Sequence, residues 1–365
     1  MLATLLLCCA MLSAAATPNP QNQETTPPVR LLLFAQATPR SITISSSAPV
    51  TVAINTQEKT ERKRLPRTEI TATESGGMLR VGTTNATMNA TEVVVEGERI
   101  IVQSEGRKRE VAGSVTITPA ITLQGKQLQV VATISQGQYL STALASESTS
   151  GEPFQYLVAL SVLQRNYLRA HRNRHQPDAD LCDNTHCQRA DNIHPSKTVQ
   201  RAVAAAAKIR LTEKTTDGTA YPCYYSANCG GSTLTPKQVW GSNEAGYSAV
   251  ACNFCRREQW NRWQRATPAT PEVEQAVRQA PPTPFISDDF KIAIGRMVGF
   301  NVVLSNTVEK IERREGKFWF SGRGFGHRVG LCCAGGITLA KRGRLAAEIL
   351  RTYFPDASVS FAAGN

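Results

Sequence analysis

From Val29 to about Thr133, apolar and polar positions alternate in short runs rich in β-branched residues: VRLLLFA, SITIS, VTVAI, TEVVVEG, RIIVQS, SVTIT and LQVVATI. Period-two runs separated by turn residues predict strands. The highly charged stretch from Gln57 to Arg67 interrupts them and reads as a loop. The period changes at Gln138. Residues 138–147 and 153–171 read as helices, with Pro153 suited to a first helical position. Ser196–Leu211, with its alanine run, predicts a third helix. Residues 221–260 are irregular and hold Cys, Gly and Tyr, and TPATPEVEQAVRQAPPTP at 267–284 reads as a linker. A helix at 288–299, a strand pair around 301–320, a glycine-rich loop at 322–330 and helices near 334–352 complete the chain. The fold class is therefore α+β, a β-rich N-terminal region followed by a mixed helical core. No internal repeat or long heptad run is present.

The ends of the chain add to this picture. Met1–Ala16, MLATLLLCCAMLSAAA, is an uncharged apolar run ending in small residues, which predicts a signal peptide and export to periplasm, cell wall or medium. The run is short for a membrane span of about 20 residues, so no stable span is expected in the mature form. Residues 17–28, TPNPQNQETTPP, form a tether with little to bury. One domain is expected over 29–361, with a β-rich part at 29–133, a second part at 134–361 and an insertion near 257–287. Hydrophobic residues make up 41% of the 365, enough for a sizeable core. Lys and Arg outnumber Asp and Glu by 41 to 29, a net charge of +12, which favours polyanionic partners. The basic residues are scattered and no nucleic-acid motif appears, so an anionic wall is a better fit than nucleic acid.

Glu147 is the candidate for chemistry. Leu140, Ala143, Leu144 and Glu147 stand at i, i+3, i+4 and i+7, on one helical face that is otherwise apolar. The face turns inward and carries the carboxylate to the negative end of the helix dipole. Both effects disfavour its charged form, so its pKa is expected to rise, as a general acid requires. Taken alone, the plainer reading is a rim glutamate at a helix end, solvated or paired with a nearby arginine.

The cysteines offer two readings. Cys182, His186 and Cys187 bring three soft or borderline ligands within six residues, which suits zinc. A disulfide between Cys182 and Cys187 is the alternative in an oxidising compartment. A fourth zinc ligand is expected from water, substrate, Cys332 or Cys333. Cys223, Cys229, Cys252 and Cys255 suggest two disulfides in preference to a tetrathiolate zinc site, and Cys332-Cys333 a vicinal bond.

Three separated segments resemble the SpoIID/LytB family of cell-wall proteins. The first is QYLSTALASE and FQYLVALSVLQRNYLRAH, with Tyr139-Leu140, Glu147, Arg165 and Tyr167 at the family's motif positions. The second is Cys182-Asp-Asn-Thr-His186-Cys187-Gln188, followed by YYSANCGGSTLTPKQVWG, which holds Ser226, Gly230 and Gly231. The third is GRGFGHRVGLCCAGGITLAKRGRLAAEILRTYFP, with His327 and Gly330. The resemblance implies a lytic transglycosylase acting on peptidoglycan strands stripped of stem peptides, and Glu147 as its acid/base. It also implies zinc at Cys182, His186 and Cys187, and substrate binding by Arg165, Tyr167, Gln188, Ser226, Gly230, Gly231, His327 and Gly330. In the third motif, Arg328 stands where the family has a small glycine and Cys332-Cys333 where it has Ser or Cys and then Gln.

A hydrolase of the usual kind needs two carboxylates. Glu152 and Asp183 are the available partners for Glu147, and nothing in the sequence supports either. A lytic transglycosylase needs one. The acid protonates the glycosidic oxygen, and its carboxylate then takes the proton from the muramic acid C6 hydroxyl as that oxygen attacks C1. Proximity within one sugar replaces a second protein group. The glycine-dense loop around His327 would let backbone approach a sugar chain. It does not fit the dinucleotide fingerprint, because His327 occupies the third glycine's place. The family also includes enhancers of cell-wall amidases, so a glycan-binding module that stimulates an amidase is the competing reading. Sporulation is one of several cell-wall settings for such a protein.

Overall fold

The computed structural model describes residues 26–362 apart from 38, 84–85, 123–124, 150, 191–193, 214–220, 243 and 245–246. The expected signal peptide and most of the tether lie outside the described residues. No helix among the described residues is long and apolar enough to cross a membrane.

The β-rich half contains β1 (Val29–Leu32), β2 (Ser41–Ser46), β3 (Val50–Asn55), β4 (Thr60–Leu65), β5 (Thr68–Ser75), β6 (Met78–Gly82), β7 (Thr87–Ala90), β8 (Glu92–Ser104), β9 (Arg107–Thr122) and β10 (Gly125–Ile134). The alternation read from sequence is the burial pattern: in β3, Val50, Val52 and Ile54 point inward and their neighbours outward. The long β8–β9 hairpin is the spine, and the sheet turns over so that β5 lies against β10 and β6 against β9. Its apolar interior is the first core. The charged segment 57–67, expected to be a loop, contains β4, which pairs with β3 alone. An edge strand with TERKRL exposed to water resists pairing with another chain, so its charge is compatible with strand structure.

The helical half follows with α1 (Gln136–Glu147) and α2 (Phe154–Ala170). Ser135 caps α1, its hydroxyl accepting Gln138 N–H at 3.1 Å. Pro153 is the N-cap of α2, one position earlier than expected. Next come β11 (Leu181–Cys182), α3 (Lys197–Ala206), β12 (Ile209–Glu213), β13 (Tyr225–Ser226) and α4 (Pro236–Trp240). The third predicted helix is therefore short, because Ile209–Leu211 pairs as a strand with the C-terminal segment. Tyr156, Leu160, Leu163, Val199, Leu350 and Tyr353 belong to the second core, between the helices.

The last part holds β14 (Arg262–Pro268), α5 (Pro271–Gln279), β15 (Phe285–Ile286), α6 (Asp288–Val298), β16 (Thr307–Arg314), β17 (Lys317–Arg323), β18 (Leu331–Cys332), α7 (Cys333–Lys341), α8 (Ala346–Tyr353) and β19 (Ala357–Phe361). The segment read as a linker at 267–284 is structured. Thr270 caps α5, which buries Val273 in a third core with Trp263, Phe290 and Phe320. Its flanking prolines mark the ends of a helix rather than an extended spacer. A four-stranded sheet, β14-β17-β16-β15, carries this core.

Candidate active site and metal centres

Leu140, Ala143 and Leu144 of α1 are buried, and the same face delivers Glu147, half-buried, at the helix's last residue. No basic side chain lies in that last turn. The Glu147 Oε1 atom accepts the backbone N–H of Arg189 at 3.1 Å. Burial, reinforced by the charge of Glu147, pushes up Tyr139 and Tyr225, and it pushes Cys333 up to about 12 with Glu147 and Glu152 adding to the effect. Glu147 therefore stands where α1, the Cys/His loop, β13 and the start of α7 converge.

β13 and β18 run parallel, pairing Tyr225 with Leu331 and Ser226 with Cys332. Bridges Asn228–Phe325, Leu234–Val329 and Ser305–Gly326 stitch the glycine-rich loop on both sides. This explains two of the glycines. Gly330 has φ +74° and a Cβ there would meet Tyr224 O at 2.1 Å; Gly230 has φ +67° and a Cβ would meet Gly324 N at 2.8 Å. Both close approaches are loop to loop, so these glycines pack the protein against itself. Gly231, at φ +102°, faces open space. Ser226 is buried and its hydroxyl has no hydrogen-bond partner.

Several predicted site residues are occupied with structure. The Arg165 guanidinium donates to Ala206 O at 2.6 Å and to Ile209 O, closing the end of α3, and burial lowers it to about 10. Gln188 is buried and accepts Tyr139 O–H at 2.8 Å, while its Nε2 has no partner. His327 Nδ1 accepts Val329 N–H at 3.0 Å, and the ring is also hydrogen-bonded to the Tyr225 backbone. Burial, with the charge of Lys291, holds it down at about 4, so it is neutral near pH 7.

Tyr167 links the motifs. It stacks on His171 at 4.1 Å, meets Tyr224 edge-on at 6.2 Å and accepts from Arg174 Nη1 at 3.2 Å. Tyr224 continues to Trp240 at 4.9 Å, and Trp240 to His327 at 5.2 Å. An aromatic row thus runs from the Cys/His loop to the glycine-rich loop, ending on a Trp240 that is 39% exposed. Sequence reading missed Tyr224 and Trp240, although both sit in or beside the second motif.

Among the described residues, two clusters could hold a metal ion. In the first, ligand atoms of His175, Cys182, His186 and Cys187 all lie within 4.8 Å of one another. His175 Nε2 is 3.4 Å from Cys187 Sγ, and His186 Nδ1 is 3.7 Å from each of Cys182 and Cys187 Sγ. Around one zinc, with Zn–N about 2.0 Å and Zn–S about 2.3 Å, tetrahedral N···S edges are about 3.6 Å. The donor set fits. The fourth residue of this group is His175, seven residues before Cys182, in place of the water, substrate, Cys332 or Cys333 that the sequence suggested. β11 pairs with β1 and places Cys182 at the sheet edge. Asp183 locks that junction, accepting Phe34 N–H at 3.0 Å and pairing with Arg109 at 2.8 Å.

The second cluster is Cys229, Cys252, Cys255 and Cys332, all fully buried. The favoured disulfides and the vicinal Cys332–Cys333 bond are absent: all eight described cysteines are free thiols. Cys223 stays outside, donating to Tyr221 O, because β13–β18 pairing brings Cys332 into its place.

No curated protein matches the chain. Residues 124–212, spanning α1, Glu147, α2 and the Cys/His loop, match the model of the SpoIID family, described as stage II sporulation protein.

Proposed function

We propose that this protein is a lytic transglycosylase that cleaves peptidoglycan glycan strands, with Glu147 as its single acid/base. The match of residues 124–212 to the SpoIID family supports a cell-wall-related role. The observation that carries the finer reading is the position of Glu147, held by Arg189 N–H at the junction of three motif segments. The aromatic row ending at Trp240 supplies the apolar faces that sugar rings stack on. A hollow of about 310 Å³ lined by Arg107, Arg109, Asp183, Asn184 and Arg189 adjoins the same loop, and its excess of arginines over its one carboxylate suits the lactyl carboxylates of a denuded strand.

Asp183 is consumed by its backbone and arginine bonds and is not a second catalytic carboxylate. Glu152 is raised by burial, and its Oε2 is buried without a partner. Single-carboxylate chemistry gives anhydro ends; a Glu147–Glu152 pair would give reducing ends with water incorporated.

Zinc is the ion we assign to the first cluster, on its two imidazoles and two thiolates. Four protein ligands close the shell, so its role is structural: it fixes the loop whose Arg189 N–H holds Glu147. Product chemistry on purified denuded glycan tests the reading. Anhydro-muramic ends are expected. Reducing ends mean a hydrolase, and binding without cleavage means a module that serves a partner such as an amidase; either overturns it. Export through the N-terminal apolar run is part of this proposal.

A further inference from the structure

The segment 221–260 contains little regular structure to hold it: the two-residue β13, the five-residue α4 and isolated bridges. Yet three of its cysteines, Cys229, Cys252 and Cys255, are fully buried and converge with Cys332, which comes from the far side of the glycine-rich loop. Cys229 Sγ lies 3.5 Å from Cys255 Sγ, and Cys252 Sγ 3.8 Å from Cys255 Sγ. Four thiolates around one zinc at about 2.3 Å stand about 3.8 Å apart along every tetrahedral edge. All four sulfurs lie within 4.8 Å of one another, a single group around one centre rather than two separate pairs.

The surroundings suit thiolates. Cys229 N–H donates to Cys332 Sγ at 3.3 Å, Asn261 Nδ2 donates to Cys255 Sγ at 3.5 Å, and Tyr353 Oη lies 3.2 Å from Cys252 Sγ. Such donors are the outer shell that orients metal-bound sulfur. Arg328, buried and donating to Cys229 O at 2.7 Å, places a positive charge beside a centre that would carry two negative ones. Four buried thiols could instead pack as small apolar groups. That reading does not account for the three polar groups that converge on these sulfurs.

We propose that Cys229, Cys252, Cys255 and Cys332 form a second, tetrathiolate zinc site, separate from the His/Cys cluster. Binding releases four thiol protons and leaves the oxidation states unchanged. The site pins the 221–260 segment to β18. Since Cys332 directly precedes α7, it also sets the position of Cys333, on which the charge of Glu147 acts. It therefore serves as a staple beneath the active site.

The test uses the full chain purified under reducing, chelator-free conditions. In the Cys182→Ser/Cys187→Ser variant, elemental analysis should still find one zinc per chain. Cobalt(II) in its place should give the sulfur-to-metal charge transfer and ligand-field bands of a four-sulfur tetrahedral site. Adding Cys252→Ser/Cys255→Ser should remove that zinc. If this quadruple variant does not fold, mercurial titration of the double variant should release zinc in step with four thiols. A double variant without bound zinc, iron in place of zinc, or denaturing alkylation that finds these four cysteines as two disulfides would each overturn the proposal.

Discussion

The Glu147 carboxylate accepts the backbone N–H of Arg189 at 3.1 Å, two residues beyond the metal-cluster thiol Cys187. Glutamine keeps an oxygen for that bond but is uncharged and can neither give nor take up the catalytic proton. Glu147→Gln should therefore leave folding, zinc content and glycan co-sedimentation unchanged. It should lower release of anhydro ends by roughly 10²- to 10⁴-fold, the usual contribution of a general acid/base. Retained release would remove Glu147 from the mechanism.

On the zinc assignment proposed above, His175 completes a closed shell of four ligands in the first cluster. His175→Ala leaves three ligands and opens a position to water. Its zinc affinity should fall by more than the roughly 10- to 100-fold expected for losing an outer-shell partner. Activity should fall with it while Glu147 is intact, because the loop bearing Arg189 loosens. Competition with a chromophoric chelator measures the first effect and product release the second.

These residues show what the sequence made visible. The face that carries Glu147 was legible because three apolar partners at helical spacing fix it, and strands β1, β2, β3, β8, β9 and β10 because alternation is local. His175 was not, since a bend through His175–Ala179, bridged to itself, brings it back onto Cys187. Cys332 was assigned to the wrong partners for a similar reason: it lies more than a hundred residues from Cys229, and only the β13–β18 pairing joins them. Arg165 and His327 look like ligand-binding side chains, but their hydrogen bonds go to backbone. β4 was hidden because an exposed edge strand needs no apolar face. The short α5 was hidden because its prolines look like those of a linker.

His327 is held neutral, with its pKa near 4 against an ordinary 6.5, mainly by burial. Between these values the unfolded chain takes up a proton that the folded one refuses. The stability present above pH 6.5 is thus lost as pH falls towards 4, by up to about 3 kcal/mol. His327→Asn keeps an acceptor for Val329 N–H and removes the titration. Thermal melts from pH 7 to 4 should show a shallower fall for the variant; parallel curves would mean that His327 is protonated in the fold without penalty.

Trp240 is the exposed end of the aromatic row, packed on Tyr224 and His327 and donating from Nε1 to Asp288 at 3.2 Å. Trp240→Ala should weaken binding of denuded glycan by about tenfold, near 1.4 kcal/mol, with little change in melting temperature. Loss of melting temperature without loss of glycan affinity would make the row a packing feature alone.

Arg328 has φ +65°, a conformation that costs a side chain about 1–2 kcal/mol and glycine nearly nothing. It is nevertheless arginine. Its buried guanidinium donates to Cys229 O at 2.7 Å, Ser232 O at 2.9 Å and Thr307 Oγ1, joining the glycine-rich loop to the Cys229–Ser232 segment and to β16. Each charged hydrogen bond is worth about 1.5 kcal/mol or more, so three of them outweigh the strain. Arg328→Gly removes both the bonds and the strain; Arg328→Ala removes the bonds and keeps the strain. Urea unfolding should therefore rank the wild type first, the glycine variant second and the alanine variant last, the last two about 1 kcal/mol apart. A glycine variant as stable as the wild type would show that the guanidinium adds nothing to the junction. The expected order means that the fold accepts a strained arginine here because its side chain ties three segments together where a glycine would tie none.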